Sequence, residues 1–295
     1  MSSKNAAVVS FEGFAAQYMA AGTEPQQGAI RVYPLAMAPA LIQPPTPLFR
    51  AEYNFLLLIQ AGGGQQQVDN ELLTLQANDV LFIREGHLNA IKSIDPDTAG
   101  YYVYLDSALL PQVFADSTLL HRLTFYPKHS VSEADMQWLA RCCELLAAPH
   151  AANAYATHLR CTLLRALVLK LAEASPAALA RPDRLSELSL RFKELLYEHF
   201  LSKRDVAFYA DALAVSENYL NRCVRTATGK PPKQHINEMV INHSKVLLQN
   251  PAKDVAQVAF ELNFSDPSYF GRLFKQLTQQ TPRAYRSALL PCAAG

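Results

Sequence analysis

No stretch of this chain approaches the roughly 18 consecutive apolar residues that a membrane span needs, and Met1 to Glu12 lack the basic start and apolar run of a secretory signal. A cytoplasmic protein without membrane association is expected. Cysteine is sparse: Cys142, Cys143, Cys161, Cys223 and Cys292 are odd in number, scattered, and without the C-x-x-C spacing of a zinc site or disulfide framework. They read as reduced, mostly buried thiols. The adjacent pair Cys142–Cys143 leaves a redox sensor open, although neighbouring residues on a helix point in different directions. Also missing are the G-x-S-x-G nucleophile elbow, the G-x-x-x-x-G-K-[ST] phosphate loop and H-E-x-x-H, so no enzyme class with such a signature is indicated. Charged residues make up 18% of the chain and sum to +1, while 50% are hydrophobic, which excludes wholesale disorder.

The charge that is present is unevenly placed. From Arg184 onward there are 15 Lys and Arg against 10 Asp and Glu, whereas residues 1–183 have 12 against 16. The basic C-terminal part suggests a polyanion as its partner. A length of 295 residues points to two domains, and Ser175-Pro176 with Arg181-Pro182-Asp183 mark the expected linker.

Residues 30–106 read as β structure. Phe55-Leu56-Leu57-Leu58-Ile59 ends at Gly62-Gly63-Gly64, and Leu72-Leu73-Thr74-Leu75, Val80-Leu81-Phe82-Ile83 and Tyr101-Tyr102-Val103-Tyr104-Leu105 follow between turn residues. Short strands at such spacing predict a sandwich or small barrel. From Ser132 the period changes. Met136, Leu139, Ala140, Cys143 and Leu146 predict one helix, with Ser132 and Asp135 placed to cap it. Leu159, Leu163, Leu167 and Leu171 predict a second over about 154–174. These helices either cover the β domain or pair two copies of the chain.

Beyond the linker the sequence repeats itself. Val206, Ala210, Leu213 and Ser216 return 49 positions later as Val255, Ala259, Leu262 and Ser265. Tyr219, Leu220, Arg222, Val224 and Arg225 return after 50 as Tyr269, Phe270, Arg272, Phe274 and Lys275, as though the second copy's turn held one extra residue. Each copy has the parts of a helix-turn-helix: a short helix (about Val206–Leu213, Val255–Leu262), a small residue where a second helix approaches (Ala210, Ala259), a turn, and an amphipathic helix. Asn263 suits a left-handed helix end; Ser216 in one copy, and Ser265 or Asp266 in the other, can cap the next helix. The inward faces are Tyr219, Leu220, Cys223 and Val224, and Tyr269, Phe270, Leu273 and Phe274. Outward lie Asn218, Asn221, Arg222 and Arg225, and Ser268, Gly271, Arg272 and Lys275. Arginine can grip a guanine edge with two hydrogen bonds, asparagine an adenine edge, and Lys or Arg at the margin can neutralise phosphate. Double-stranded DNA is the expected partner. A merely solvated face is the alternative for either helix alone, and repetition in a basic region weighs against it.

The segment Tyr209–Arg286 resembles the DNA-binding region of the AraC/XylS family of transcription regulators. The likeness is strongest from Val255 through Phe264-Ser265-Asp266-Pro267 to Lys275, and at Thr281-Pro282-x-x-Tyr285-Arg286, with Asn263 where that family customarily has Gly. The resemblance implies seven helices and a linker helix holding both units so that the two recognition helices enter successive major-groove segments, with the eight outward residues named above at the DNA. The β segment resembles the family's sensor half, a cupin-like jelly-roll barrel, through Asn78-Asp79-Val80-Leu81-Phe82-Ile83-Arg84-Glu85-Gly86. The His-x-His pair of metal-binding cupins is absent, Asn89 stands near the place of the later His, and His87 is a lone neighbour, so neither metal nor cofactor is expected.

The expected fold is therefore α+β in two domains. Residues 1–180 form a cupin-like β-barrel sensor with a helical dimerisation segment (β-rich to about 106, helical over 132–174), and 185–295 form an all-α DNA-binding domain with two helix-turn-helix units. The expected function is non-enzymatic: a ligand-responsive transcription activator, a homodimer, acting with RNA polymerase and a small-molecule effector in the barrel. Arg84, His87, Tyr102 and Tyr104 are candidates for the effector's polar anchors. Two other classes stay open. A DNA-modifying enzyme with a cysteine methyl acceptor needs a low-pKa thiol, and a pure dimerisation scaffold needs a barrel filled by its own side chains.

Overall fold

A computed structural model describes residues 8–18, 28–38, 42–69, 71–114, 117–150, 153–175 and 184–289. The chain divides into two compact units, one covering Val9–Ala180 and one containing Arg181–Gly295. The expected linker residues 176–183 and Cys292 lie outside the described residues.

Among the described residues the first unit is built on ten strands: β1 Val8–Val9, β2 Ile30–Pro34, β3 Phe49–Ala51, β4 Asn54–Ala61, β5 Gly63–Val68, β6 Glu71–Gln76, β7 Asp79–Ile83, β8 Leu88–Ile94, β9 Ala99–Leu105 and β10 Lys128–Ser130. They form two five-stranded sheets, ordered β1-β3-β8-β5-β6 and β10-β7-β4-β9-β2. In the latter, Leu57 of the central strand β4 stands opposite Leu81 and Tyr102 in antiparallel register. Strand alternation explains why the run Phe55–Ile59 is apolar throughout. Phe55 and Ile59 join Phe49, Ala51, Val68 and Leu75 of the other sheet in a core between the two. Leu56 and Leu58 point the other way, with Val80, Phe82, Val103 and Leu105, into a core completed by helices.

Those helices are α2 Leu110–Val113, α3 Ser117–Phe125, α4 Glu133–Ala147 and α5 Ala154–Ala174, whereas α1 Phe11–Tyr18 puts Phe11 and Phe14 into the core between the sheets. Ser132 caps α4 as expected, its Oγ accepting from Asp135 N at 3.1 Å. The buried stripe of α5 differs from the expected one: Cys161, Leu164, Leu167, Val168 and Leu171 are buried, Leu163 is half-buried, and Leu159 is 50% exposed. A spacing of four overshoots the 3.6-residue turn, so a row of four leucines drifts off the packed face. Gly63 and Gly64 carry the chain from β4 into the opposite sheet. A Cβ would lie 2.0 Å from Leu75 O at Gly63 and 2.2 Å from Ser93 O at Gly64, so only glycine fits.

The second unit has seven helices among the described residues: α6 Arg184–His199, α7 Val206–Ala212, α8 Glu217–Thr228, α9 Pro232–Leu247, α10 Val255–Glu261, α11 Pro267–Thr278 and α12 Pro282–Leu289. One core joins both copies of the repeat. Tyr209, Leu220 and Val224 from the first and Val258, Leu262, Phe270 and Phe274 from the second meet Ile236, Val240 and Ile241 of the connecting helix α9. No helix among the described residues is long and apolar enough to cross a membrane.

Candidate nucleic-acid interface

The turns of the two copies match bond for bond, although Asp254 caps α10 by accepting from Gln257 N at 2.7 Å while Asp205 makes no such bond to α7. After α7, Ala214 takes a left-handed conformation (φ 54°), and after α10 Asn263 does the same (φ 59°). Ala214 N donates to Asp211 O and Val215 N to Ala210 O, both at 3.0 Å; Asn263 N donates to Phe260 O and Phe264 N to Ala259 O, both at 2.9 Å. This is the Schellman arrangement, which satisfies the last carbonyls of each helix and fixes the turn. Ala210 and Ala259 are buried to 1% and 0%, leaving room for the following helix.

Ser216 Oγ caps α8, accepting from Tyr219 N at 3.2 Å. In the second copy Asp266, not Ser265, does this, accepting from Ser268 N at 2.7 Å and Tyr269 N at 3.1 Å. The extra residue therefore lies between Asn263 and Asp266. The Asp266 carboxyl is held below the usual carboxylate range by the backbone bond from Ser268, with smaller help from Tyr269 and Arg272. The likeness continues past the recognition helices: Gly229 (φ 76°) and Gln279 (φ 62°) end α8 and α11 in left-handed conformation, each donating its N–H over 2.8 Å, to Arg225 O and Lys275 O.

Leu220, Cys223 and Val224 face the core, as do Phe270, Leu273 and Phe274. Tyr269 departs from expectation: it is 48% exposed and rests its ring against Phe264, 5.9 Å between centroids. On the outer faces Asn218, Arg222, Arg225, Ser268, Arg272 and Lys275 are exposed, while Asn221 and Gly271 are half-buried. Asn221 Nδ2 donates to Glu217 O at 3.0 Å. Arg222 lies over the Tyr219 ring at 5.0 Å, and Arg272 reaches to 3.7 Å from Asp266. A Cβ at Gly271 would meet nothing within 4 Å, so packing does not demand glycine there.

One positioning residue had no signal in the sequence. Arg204, before α7, donates to Leu262 O in the second copy's turn and stacks on Phe264 at 3.7 Å. Asn263 Nδ2 donates back to Leu201 O at 3.0 Å, and Lys233 Nζ of α9 donates to Arg204 O at 2.8 Å. This knot ties the first copy's entry, the connecting helix and the second copy's turn together.

In the first unit, a cavity of about 120 Å³ lies between the sheets, lined by Tyr33, Phe49, Tyr53, Phe55, Leu57 and Tyr102 among others. Of the four candidate anchors only Tyr102 lines it. His87 Nδ1 lies 2.8 Å from Asp69 Oδ2 at the β5–β6 turn. Tyr104 sits under the Arg31 guanidinium at 4.7 Å, and half-buried Arg84 is outside the lining. Among the described residues no group of three His, Cys, Asp or Glu could hold a metal. Cys142, Cys143, Cys161 and Cys223 are free and buried. Burial pushes the first three thiols up, away from the reactive thiolate.

A family model described as a helix-turn-helix domain matches residues 209–288. An uncharacterized HTH-type transcriptional regulator, YisR of Bacillus subtilis, is 28% identical over 105 residues, 36% of this chain and 37% of its own length, so the match spans little more than a third of that relative. The HTH-type transcriptional activator RhaS of Salmonella schwarzengrund is 23% identical over 268 residues, 86% of this chain and 92% of its own. Among solved structures, ToxT from Vibrio cholerae aligns over 89% of this chain and 98% of its own at 14% identity, with a TM-score of 0.45.

Proposed function

We propose that this chain, an AraC/XylS-family DNA-binding transcription regulator, is a ligand-responsive activator that sets α8 and α11 into adjacent major-groove segments. The observation that carries the reading is the bond-for-bond repeat of the two units' turns, which brings Arg222 and Arg272, and Arg225 and Lys275, to the same outward positions on one shared core. Adjacent major-groove segments lie about 34 Å apart, a span that two units of one rigid domain can cover. Asn218, Asn221, Arg222 and Arg225 form the first contact set, and Ser268, Gly271, Arg272 and Lys275 the second. Gly271, free of any packing demand, lets a phosphate backbone come close. The activator role, and RNA polymerase as partner, follow the likeness to the RhaS activators.

In this reading residues 1–180 sense an effector in a cupin-like barrel and pair two copies, and 185–295 bind DNA in the cytoplasm. Homodimerisation through 132–174 is supported by the outer face of α5, where Tyr155, Leu159, Thr162, Ala166 and Leu169 recur at alternating steps of four and three, the spacing of a helix-pairing seam. Trp138 and Leu145, seven apart on α4, are also exposed.

The test is selection of bound sequences from random double-stranded DNA by the full chain at near-physiological salt, repeated with residues 185–295, which contain a core of their own. A defined motif from both, doubled for the full chain, is expected. No enriched motif from either, with or without cell extract as a source of effector, refutes the reading.

A further inference from the structure

The cavity between the sheets has a chemistry of its own. Its lining among the described residues includes no Lys, Arg, His, Asp or Glu. Arg31, which stacks on Tyr104 and Phe11, is engaged by Glu12 at 3.0 Å and by Gly28 O at 2.9 Å and stays out of the wall. A carboxylate or phosphate placed here would lose its water and gain no counter-charge. Apart from its tyrosines the polar side chains of the wall are Gln65, Gln66, Ser93 and Thr98, and Thr98 Oγ1 already donates to Gly63 O at 2.8 Å and accepts from Gly63 N at 3.1 Å.

What the wall offers instead is aromatic surface and three phenols, Tyr33, Tyr53 and Tyr102, the last two in reach of each other. Phe14, Tyr33, Phe49, Phe55 and Tyr102 line it, with Phe55 and Tyr102 stacked at 5.1 Å and Phe14 stacked on Tyr102 at 6.1 Å. Tyr53 and Tyr102 are exposed by only 2% and 5%, and neither hydroxyl has a well-formed hydrogen bond. The two are near enough to interact with each other. Side by side, however, two phenols satisfy one O–H between them and leave the second without an acceptor. Burial pushes both far above the ordinary tyrosine range, so they stay neutral donors. A buried donor without a partner is unusual in a folded protein and calls for an acceptor.

We infer that this cavity takes a neutral, compact, largely apolar molecule the size of one small substituted aromatic ring with one hydrogen-bond acceptor, such as an aromatic ketone or aldehyde, whose oxygen receives the spare O–H of the Tyr53–Tyr102 pair. The size follows from the 120 Å³ of space, on a scale where an apolar cavity of about 150 Å³ takes benzene, and the class from the uncharged aromatic wall. The inference rests on the reading of the chain as ligand-responsive and narrows the effector to a chemical class.

Three probes of similar size separate the possibilities: acetophenone (neutral, with an acceptor), ethylbenzene (neutral, without one) and benzoate (anionic). Titrated calorimetrically into the full chain, and followed by thermal unfolding, acetophenone is expected to bind about three- to tenfold tighter than ethylbenzene, the worth of one added hydrogen bond. Benzoate should give no measurable heat. The double variant Tyr53→Phe/Tyr102→Phe should bind ethylbenzene as before and lose the preference for acetophenone. Benzoate binding as well as acetophenone, a preference that survives the double variant, or no binding of either neutral probe each overturns the inference. Operator affinity of the full chain measured with saturating acetophenone is read separately. Binding with unchanged DNA affinity would leave the cavity assignment standing and refute ligand-responsiveness.

Discussion

The left-handed residues that follow α7 and α10 occupy the same place in the repeat, yet glycine should act on them in opposite directions. Ala214 is exposed, has φ 54°, and carries a methyl group that can form no hydrogen bond in return. That conformation costs a residue with a Cβ about 1–2 kcal/mol, and glycine returns about 0.4–1 kcal/mol of this through the greater freedom of the unfolded chain. Ala214→Gly should therefore stabilise the second unit by about 0.5–1 kcal/mol. Asn263, at φ 59°, tolerates the same conformation better, and its Nδ2 donates to Leu201 O at 3.0 Å. Losing that bond costs about 0.5–1.5 kcal/mol, so Asn263→Gly should be neutral to destabilising by about 1 kcal/mol despite being the family's customary residue. Urea unfolding of residues 185–295 followed by far-ultraviolet circular dichroism gives both values, with an unchanged slope certifying that only stability has moved. Glycine shifting both midpoints the same way, or Ala214→Gly lowering its own, would refute the account of the turn.

The remaining predictions concern the DNA face and pH. Arg222→Ala should cost about 1–3 kcal/mol at the selected operator and relax preference at one base pair; unchanged affinity by fluorescence anisotropy would remove Arg222 from the contact set. Lys275→Ala should weaken binding evenly across sequences and lower the salt slope by about one, whereas loss of discrimination at one base pair would make it a base reader. In the first unit, burial holds His129 down to about 4, below the ordinary value of 6.5. Its stabilising contribution is whole above the unfolded value and is lost as pH falls from about 6.5 to about 4, where the unfolded chain binds a proton that the native imidazole refuses, up to about 1.4 kcal/mol per pH unit. His129→Gln should flatten that acid limb in urea midpoints measured against pH, and parallel limbs for the two proteins would exclude the buried imidazole as its cause.

What the sequence discloses here depends on how local each determinant is. The four apolar runs become β4, β6, β7 and β9, whereas β5, Gly-Gly-Gln-Gln-Gln-Val, has no apolar alternation to betray it and is a strand because β6 and β8 flank it on both sides. The helix-turn-helix pair is legible because caps, turn and packed face all lie within about 20 residues and occur twice, and even the extra residue in the second turn shows in the change of offset from 49 to 50. Which residue caps α11 is not legible, since Ser265 and Asp266 are equally suited until the backbone after Asn263 is traced. Arg204 is invisible for a different reason: Lys203-Arg204-Asp205 reads as a solvated turn, and its partner carbonyl on Leu262 is 58 residues away. The cavity is the extreme case. The inward residues of β4 and β9 look the same in sequence whether they fill the space between the sheets or leave it open. What distinguishes the two is a pair of phenols, one at Tyr53 just before β4 and one within β9, that the fold brings together without giving either a proper partner. A fully self-satisfied core would have closed over them or replaced them with phenylalanine, so an unspent O–H facing open space is packing that stability alone does not explain.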